Sequence, residues 1–120
     1  MKAEQICGSW RLVEFKIKKN GLTKDWRRGA HGILIYSGDG YMSVSINSYS
    51  EKKEDWIDSV LFYAGKYQID GNSVIHNVMN ATSNDRLNKP MIRTAKVKNK
   101  TLLLSAEGDF GKAILKWEKI

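Results

Sequence analysis

The chain has 120 residues, of which 42% are hydrophobic and 28% charged. That is long enough for one domain with its own core and too apolar for disorder. The formal net charge of +7 is spread along the chain with no run of five or six like charges, so a lysine-rich surface is favoured over a nucleic-acid site. A single cysteine excludes an internal disulfide and a cysteine-rich zinc site, and it fits a reducing, cytoplasmic compartment. No apolar run has the length of a membrane span or of a signal peptide.

The first strand is predicted from Gly8 to Lys19. Trp10 and Leu12 share one face of it, while Val13, Phe15 and Ile17 share the other. A bulge between Leu12 and Val13 would turn both sets inward. Gly32–Tyr36 and Tyr41–Asn47 form the next two strands, joined through Ser37-Gly38-Asp39-Gly40. Glycines in that turn supply the positive φ a tight reversal needs. Ile33, Ile35, Met42, Val44 and Ile46 are expected to point inward.

The period then changes. Ser48-Tyr49-Ser50-Glu51 has the form of a helix capping box, and Trp56, Ile57, Val60, Leu61 and Ala64 recur at helical spacing. This predicts one short helix between the third and fourth strands, ended by Gly65. It would pack on the barrel or serve as a lid. Strands resume over Lys66–Asp70, Ser73–Ala81, Met91–Lys98, Thr101–Ala106 and Lys112–Lys119. The total is eight strands in consecutive hairpins. The expected fold is therefore all-β, an eight-stranded antiparallel up-and-down barrel spanning residues 1–120 as a single domain.

Hairpin pairing fixes which residues share a face. Across Asp70-Gly71-Asn72-Ser73, Ile69 faces Val74, so Tyr67, His76, Val78 and Asn80 join the inward set. Across Lys98-Asn99-Lys100-Thr101, Val97 faces Leu102, which places Met91, Arg93, Ala95, Leu104 and Ala106 inside. His76, Asn80 and Arg93 stand out, because a barrel interior should be apolar. An inward guanidinium is costly unless it meets a carboxylate or an anionic ligand. Tyr63 and Tyr67 could add hydroxyls near the rim, and Met42 lines the same interior. Two readings follow for Arg93. One is a cavity whose polar end holds an oxyanion. The other is an internal ion pair with Glu14, Glu107 or Asp109. The two histidines lack metal-ligand spacing, so no metal is expected. No nucleotide-binding glycine motif or serine elbow is present, and no cofactor is expected.

Several blocks together resemble the bacterial and fungal lipocalin-like domain family, a branch of the calycin-type barrels. They are Gly8-Ser9-Trp10-Arg11-Leu12, Gly32-Ile33-Leu34-Ile35-Tyr36 with Asp39-Gly40-Tyr41-Met42-Ser43, Tyr63-Ala64-Gly65-Lys66-Tyr67, Asp70-Gly71-Asn72-Ser73-Val74 with His76, then Arg93, and Leu115-Lys116-Trp117. The resemblance implies a calycin barrel with a small-molecule cavity. It also implies that Trp10 closes one end with a basic residue of the last strand stacked on it, Lys116 or Lys119. The leading function is binding of a small, partly apolar ligand with an anionic group at His76, Arg93, Tyr67, Asn80, Tyr63 and Met42. One alternative is an isomerase or cyclase in which His76 donates a proton and Arg93 supports an oxyanion. Another is a protein- or nucleic-acid-binding module that uses the basic exterior of a monomer or homodimer. How fully side chains fill the barrel separates the ligand readings from the last one.

Overall fold

The computed structural model describes residues 1–25, 30–48, 60–109 and 111–120. A one-turn helix, α1 (Ala3–Ile6), precedes nine strands: β1 (Gly8–Lys19), β2 (Leu22–Asp25), β3 (Ala30–Tyr36), β4 (Tyr41–Ser48), β5 (Val60–Asp70), β6 (Ser73–Ala81), β7 (Pro90–Lys98), β8 (Thr101–Gly108) and β9 (Gly111–Lys119). A short helical turn at Asn84–Arg86 lies between β6 and β7. Each strand from β3 to β9 pairs antiparallel with the next, and β9 pairs with β1, which itself pairs with β3. The result is a closed eight-stranded antiparallel barrel. β2 stands outside the closed ring and pairs with the far end of β1. The Asn20-Gly21 step between them has φ of 52° and 77°, which is the geometry of a primed hairpin turn. Among the described residues no helix is long and apolar enough to cross a membrane.

β1 contains the expected bulge. Its register with β9 slips between Leu12 and Glu14, so Trp10, Leu12, Phe15 and Ile17 are all buried. Three expectations need correction. Ile33 and Ile35 lie on the outside, 46% and 40% exposed, and Leu34 and Tyr36 take the inward places at 1% each. The cause is the turn, which pairs Tyr36 with Met42 and so leaves an odd number of residues between them. Residues 60–65, assigned to a helix from their spacing, are the first half of β5 and pair with Ile46, Val44 and their neighbours. The remainder of that expected helix, with Trp56 and Ile57, lies outside the described residues. Asn80 is exposed, because the β5–β6 register slips at Ala64/Gly65 and pairs Asn80 with the outward Ala64.

α1 caps one end of the barrel. Ile6 is fully buried, and its carbonyl accepts a 2.8 Å hydrogen bond from Trp10 Nε1. Lys119 Nζ lies 5.2 Å from the Trp10 ring centroid and donates to the Cys7 carbonyl at 2.7 Å. The cation on Trp10 is therefore Lys119. Lys116 sits on the outer face, paired with Leu103 on one side and Glu14 on the other.

Candidate functional site

A ring nitrogen pair held between two hydroxyls lies at the centre of the barrel. His76 projects inward from β6 and is 1% exposed. Tyr36 Oη, from β3, lies 2.6 Å from His76 Nε2. Tyr63 Oη, from β5, lies 2.6 Å from His76 Nδ1. Both tyrosines are buried, at 1% and 4% exposed. Burial first, and the charge of Arg93 second, depress the His76 pKa from 6.5 to about 3. The imidazole is therefore neutral across the physiological range. Burial likewise raises both tyrosine hydroxyls, Tyr36 well above its ordinary value.

Neutrality fixes the proton inventory. A neutral imidazole offers one donor and one acceptor. One tyrosine must donate to the bare ring nitrogen, while the other accepts the ring N–H. The accepting tyrosine then keeps its own hydroxyl proton for a third group. Among the described residues neither hydroxyl has a hydrogen-bond acceptor besides His76. The cluster thus holds one hydroxyl proton that has no acceptor among the described residues.

Arg93 extends that donor character. It occupies the inward row of β7, opposite Val74 and between the inward Met91 and Ala95. It is half-buried, and its Nη1 donates to the Ile92 carbonyl at 3.0 Å. After burial, its charge is the largest influence on Tyr63 and on His76, and it also acts on Tyr36. Arg86, on the helical turn after β6, adds a second positive influence on Tyr63.

The inward residues differ in burial. The inward residues of β1, β3 and β4 are sealed. By contrast, Leu61, Tyr67, Ile69, Met91, Arg93 and Val97, inward on β5 and β7, are only partly buried. Among the described residues the buried Trp117 Nε1 has no hydrogen-bond partner, another donor with nothing to serve.

His76, Arg93 and Tyr63, expected from the sequence to share a site, are brought together. Met42 is inward and buried, paired with Tyr36. Tyr67 packs edge-on against Tyr36 with ring centroids 4.8 Å apart, but its hydroxyl leaves the cluster. That hydroxyl donates to the Ser37 carbonyl at 2.8 Å and lies 3.4 Å from Cys7 Sγ. Burial, followed by Cys7 and Asp39, pushes its pKa up to about 12. Asn80 is absent from the cluster. The parity expected for its hairpin places Tyr36 outside, whereas the observed register turns it inward, and Arg86 lies in a polar segment whose sequence has no periodicity. An odd-length turn at Ser37–Tyr41 would have revealed Tyr36.

The profile of the lipocalin-like domain family matches residues 7–120. A lipocalin-like protein from Bacteroides uniformis has a similar structure, with a TM-score of 0.61 at 13% identity over 97% of this chain and 99% of that one. Fatty-acid-binding protein 1 of Echinococcus granulosus is also similar, with a TM-score of 0.51 at 12% identity over 98% of each chain. No curated protein matches the chain in sequence.

Proposed function

The chain belongs to the lipocalin-like domain family, and we propose that its barrel binds a small, partly apolar molecule through an oxyanion held by Arg93 and the Tyr36–His76–Tyr63 cluster. The observation that carries this reading is the unspent donor. A barrel interior with a guanidinium beside two neutral tyrosines bridged by a neutral histidine can stabilise an acceptor oxygen and has no base ready to take a proton. The apolar body of the ligand would lie along Leu61, Met91 and Val97, which are only partly buried. The fatty-acid-binding protein of similar fold carries in its name a ligand of this chemical kind, an apolar chain ending in a carboxylate.

Thermal unfolding tests the proposal. Decanoate or a naphthoate should raise the melting temperature, because a ligand that binds only the folded state stabilises it by about 2.7 kcal/mol at a hundredfold excess over Kd. Decanol, with the same chain and no charge, should raise it far less. Arg93→Met keeps an apolar stem of similar length and should fold normally while losing the response to both carboxylates. An unchanged response in Arg93→Met would remove Arg93 from the site. No response from the wild type to any carboxylate would overturn the reading.

A further inference from the structure

Two indoles stand at the end of the barrel that α1 covers, and their N–H groups are served differently. Trp10 Nε1 donates to the Ile6 carbonyl at 2.8 Å. Trp117 Nε1 has no hydrogen-bond partner among the described residues, although the residue is 1% exposed. Register places Trp117 at this end. It pairs with Leu12 on β1, two residues from Trp10, and lies two residues before Lys119 on β9. On its other side it pairs with Leu102, which pairs in turn with Val97 of β7. The inward side chains around it, Leu12, Leu102, Leu104 and Leu115, are apolar. A buried N–H left unbonded is costly. An internal water needs two or more polar partners to stay, and those leucine side chains supply none, which disfavours water as the partner of this donor.

We propose that Trp117 Nε1 is a second anchor inside the barrel, and that it binds a neutral carbonyl oxygen near the apolar end of a ligand whose acid group is held at Arg93. The inference rests on the barrel site proposed above and narrows its ligand class. Val97, in the same row as Trp117, and Arg93 are inward residues of β7. They stand four residues apart, about 14 Å of extended chain. Donors at both ends of that span suit an apolar chain with an acid at one end and an oxygen toward the other. Charge and proton count select that oxygen. Lys119, the cation of this end, is engaged by the Cys7 carbonyl and the Trp10 ring. A second carboxylate would therefore meet the indole in an apolar setting without a counter-ion, which is costly. A hydroxyl would accept from the indole but bring its own proton, for which the surrounding leucine side chains hold no acceptor. A ketone or ester carbonyl accepts and brings no proton. The ligand is thus an oxo-acid rather than a plain fatty acid, a hydroxy acid or a diacid.

Calorimetric titration of the full chain tests the inference. 9-Oxodecanoate, with its ketone next to the chain end, should bind about tenfold tighter than decanoate, the gain from satisfying one buried donor. 9-Hydroxydecanoate and decanedioate should bind no tighter than decanoate. Trp117→Phe should keep its affinity for decanoate and lose the preference for 9-oxodecanoate. A second readout needs no variant of Trp117. In protein labelled with ¹⁵N at its four tryptophans, the Trp117 indole N–H signal is assigned by elimination with Trp→Phe variants of the other three. It should move downfield with 9-oxodecanoate, as a newly bonded N–H does, and not with decanoate. Equal affinity for the two acids would overturn the inference and leave the barrel site standing, as would an indole signal that stays in place or moves alike with both. Absence of binding by every one of these acids would overturn the barrel site, and this inference with it.

Discussion

His76 carries one hydrogen bond to each ring nitrogen and no charge, which makes its protonation the most sensitive event in the barrel. In the unfolded chain it gains a proton near pH 6.5, and in the folded barrel only near pH 3. Between those values the unfolded state binds more protons. Stability contributed by the neutral ring is therefore complete above about pH 6.5 and is lost as pH falls toward 3, by at most about 1.4 kcal/mol for each pH unit. Protonation would also oblige a tyrosine hydroxyl that now donates to the ring to turn away and accept. Urea unfolding at intervals from pH 7.5 to pH 4 should show this slope in the wild type. His76→Gln, which cannot titrate, should start less stable at pH 7.5 and show a shallower slope. Equal slopes would mean that His76 takes up its proton without resistance from the fold.

The interruptions of the strands decide which residues reach the interior. A bulge at Leu12/Glu14 turns the apolar residues of β1 inward on both sides of it. A second, between β5 and β6, leaves Gly65 opposite Val78 and expels Asn80. Gly65 has no room for a side chain: a Cβ there would sit 1.9 Å from the Asn77 carbonyl oxygen and 3.0 Å from the Met79 amide nitrogen. Both are backbone atoms, which cannot rotate away. Gly65→Ala should cost about 3 kcal/mol or more by forcing β5 and β6 apart, read as a fall in the urea midpoint. A loss below about 1 kcal/mol would show that the bulge relaxes freely.

These same strands show where the sequence was readable. β1 and β6 were found with their full extents, because polar residues alternate with or interrupt their apolar ones. The bulge in β1 was legible because two apolar sets sat in opposite phase. At Ile33-Leu34-Ile35-Tyr36 the apolar run is continuous, so parity could not be read from composition, and the phase followed from a turn length that was off by one. At Leu61-Phe62-Tyr63-Ala64 the outward Phe62 and Ala64 are apolar as well, and a two-residue period is hidden beneath an apparent helical one. At both places the described outward residues Ile33, Ile35, Phe62 and Ala64 are apolar, so the usual contrast between inside and outside is missing. β2 is the opposite case. Asn20-Gly21 is a strong hairpin signal, but the segment after it offers no apolar alternation, in keeping with a strand that is exposed throughout.

At the scale of the molecule, the inward residues are sealed on most strands and only partly buried at some positions of β5 and β7. α1, Trp10 and Lys119 seal one end, and the inward apolar residues of β1, β3 and β4 are buried. β5 and β7 keep partial exposure on their inner faces, and that is where Arg93 stands beside the histidine cluster. The resemblance to lipocalin-like domains made the barrel and its closing tryptophan legible from scattered short blocks. It did not reveal the Tyr36–His76–Tyr63 bridge, because that bridge joins three strands through registers set by an odd turn and a bulge. The central claim is that an anionic ligand is bound inside the barrel at this bridge, and ¹⁵N NMR of the His76 ring during titration with decanoate tests it most directly. The account predicts that both ring nitrogens report a neutral tautomer at pH 7, shift as ligand is added, and stay still in Arg93→Met. Ring signals that do not move while decanoate perturbs only residues of the outer wall would contradict it.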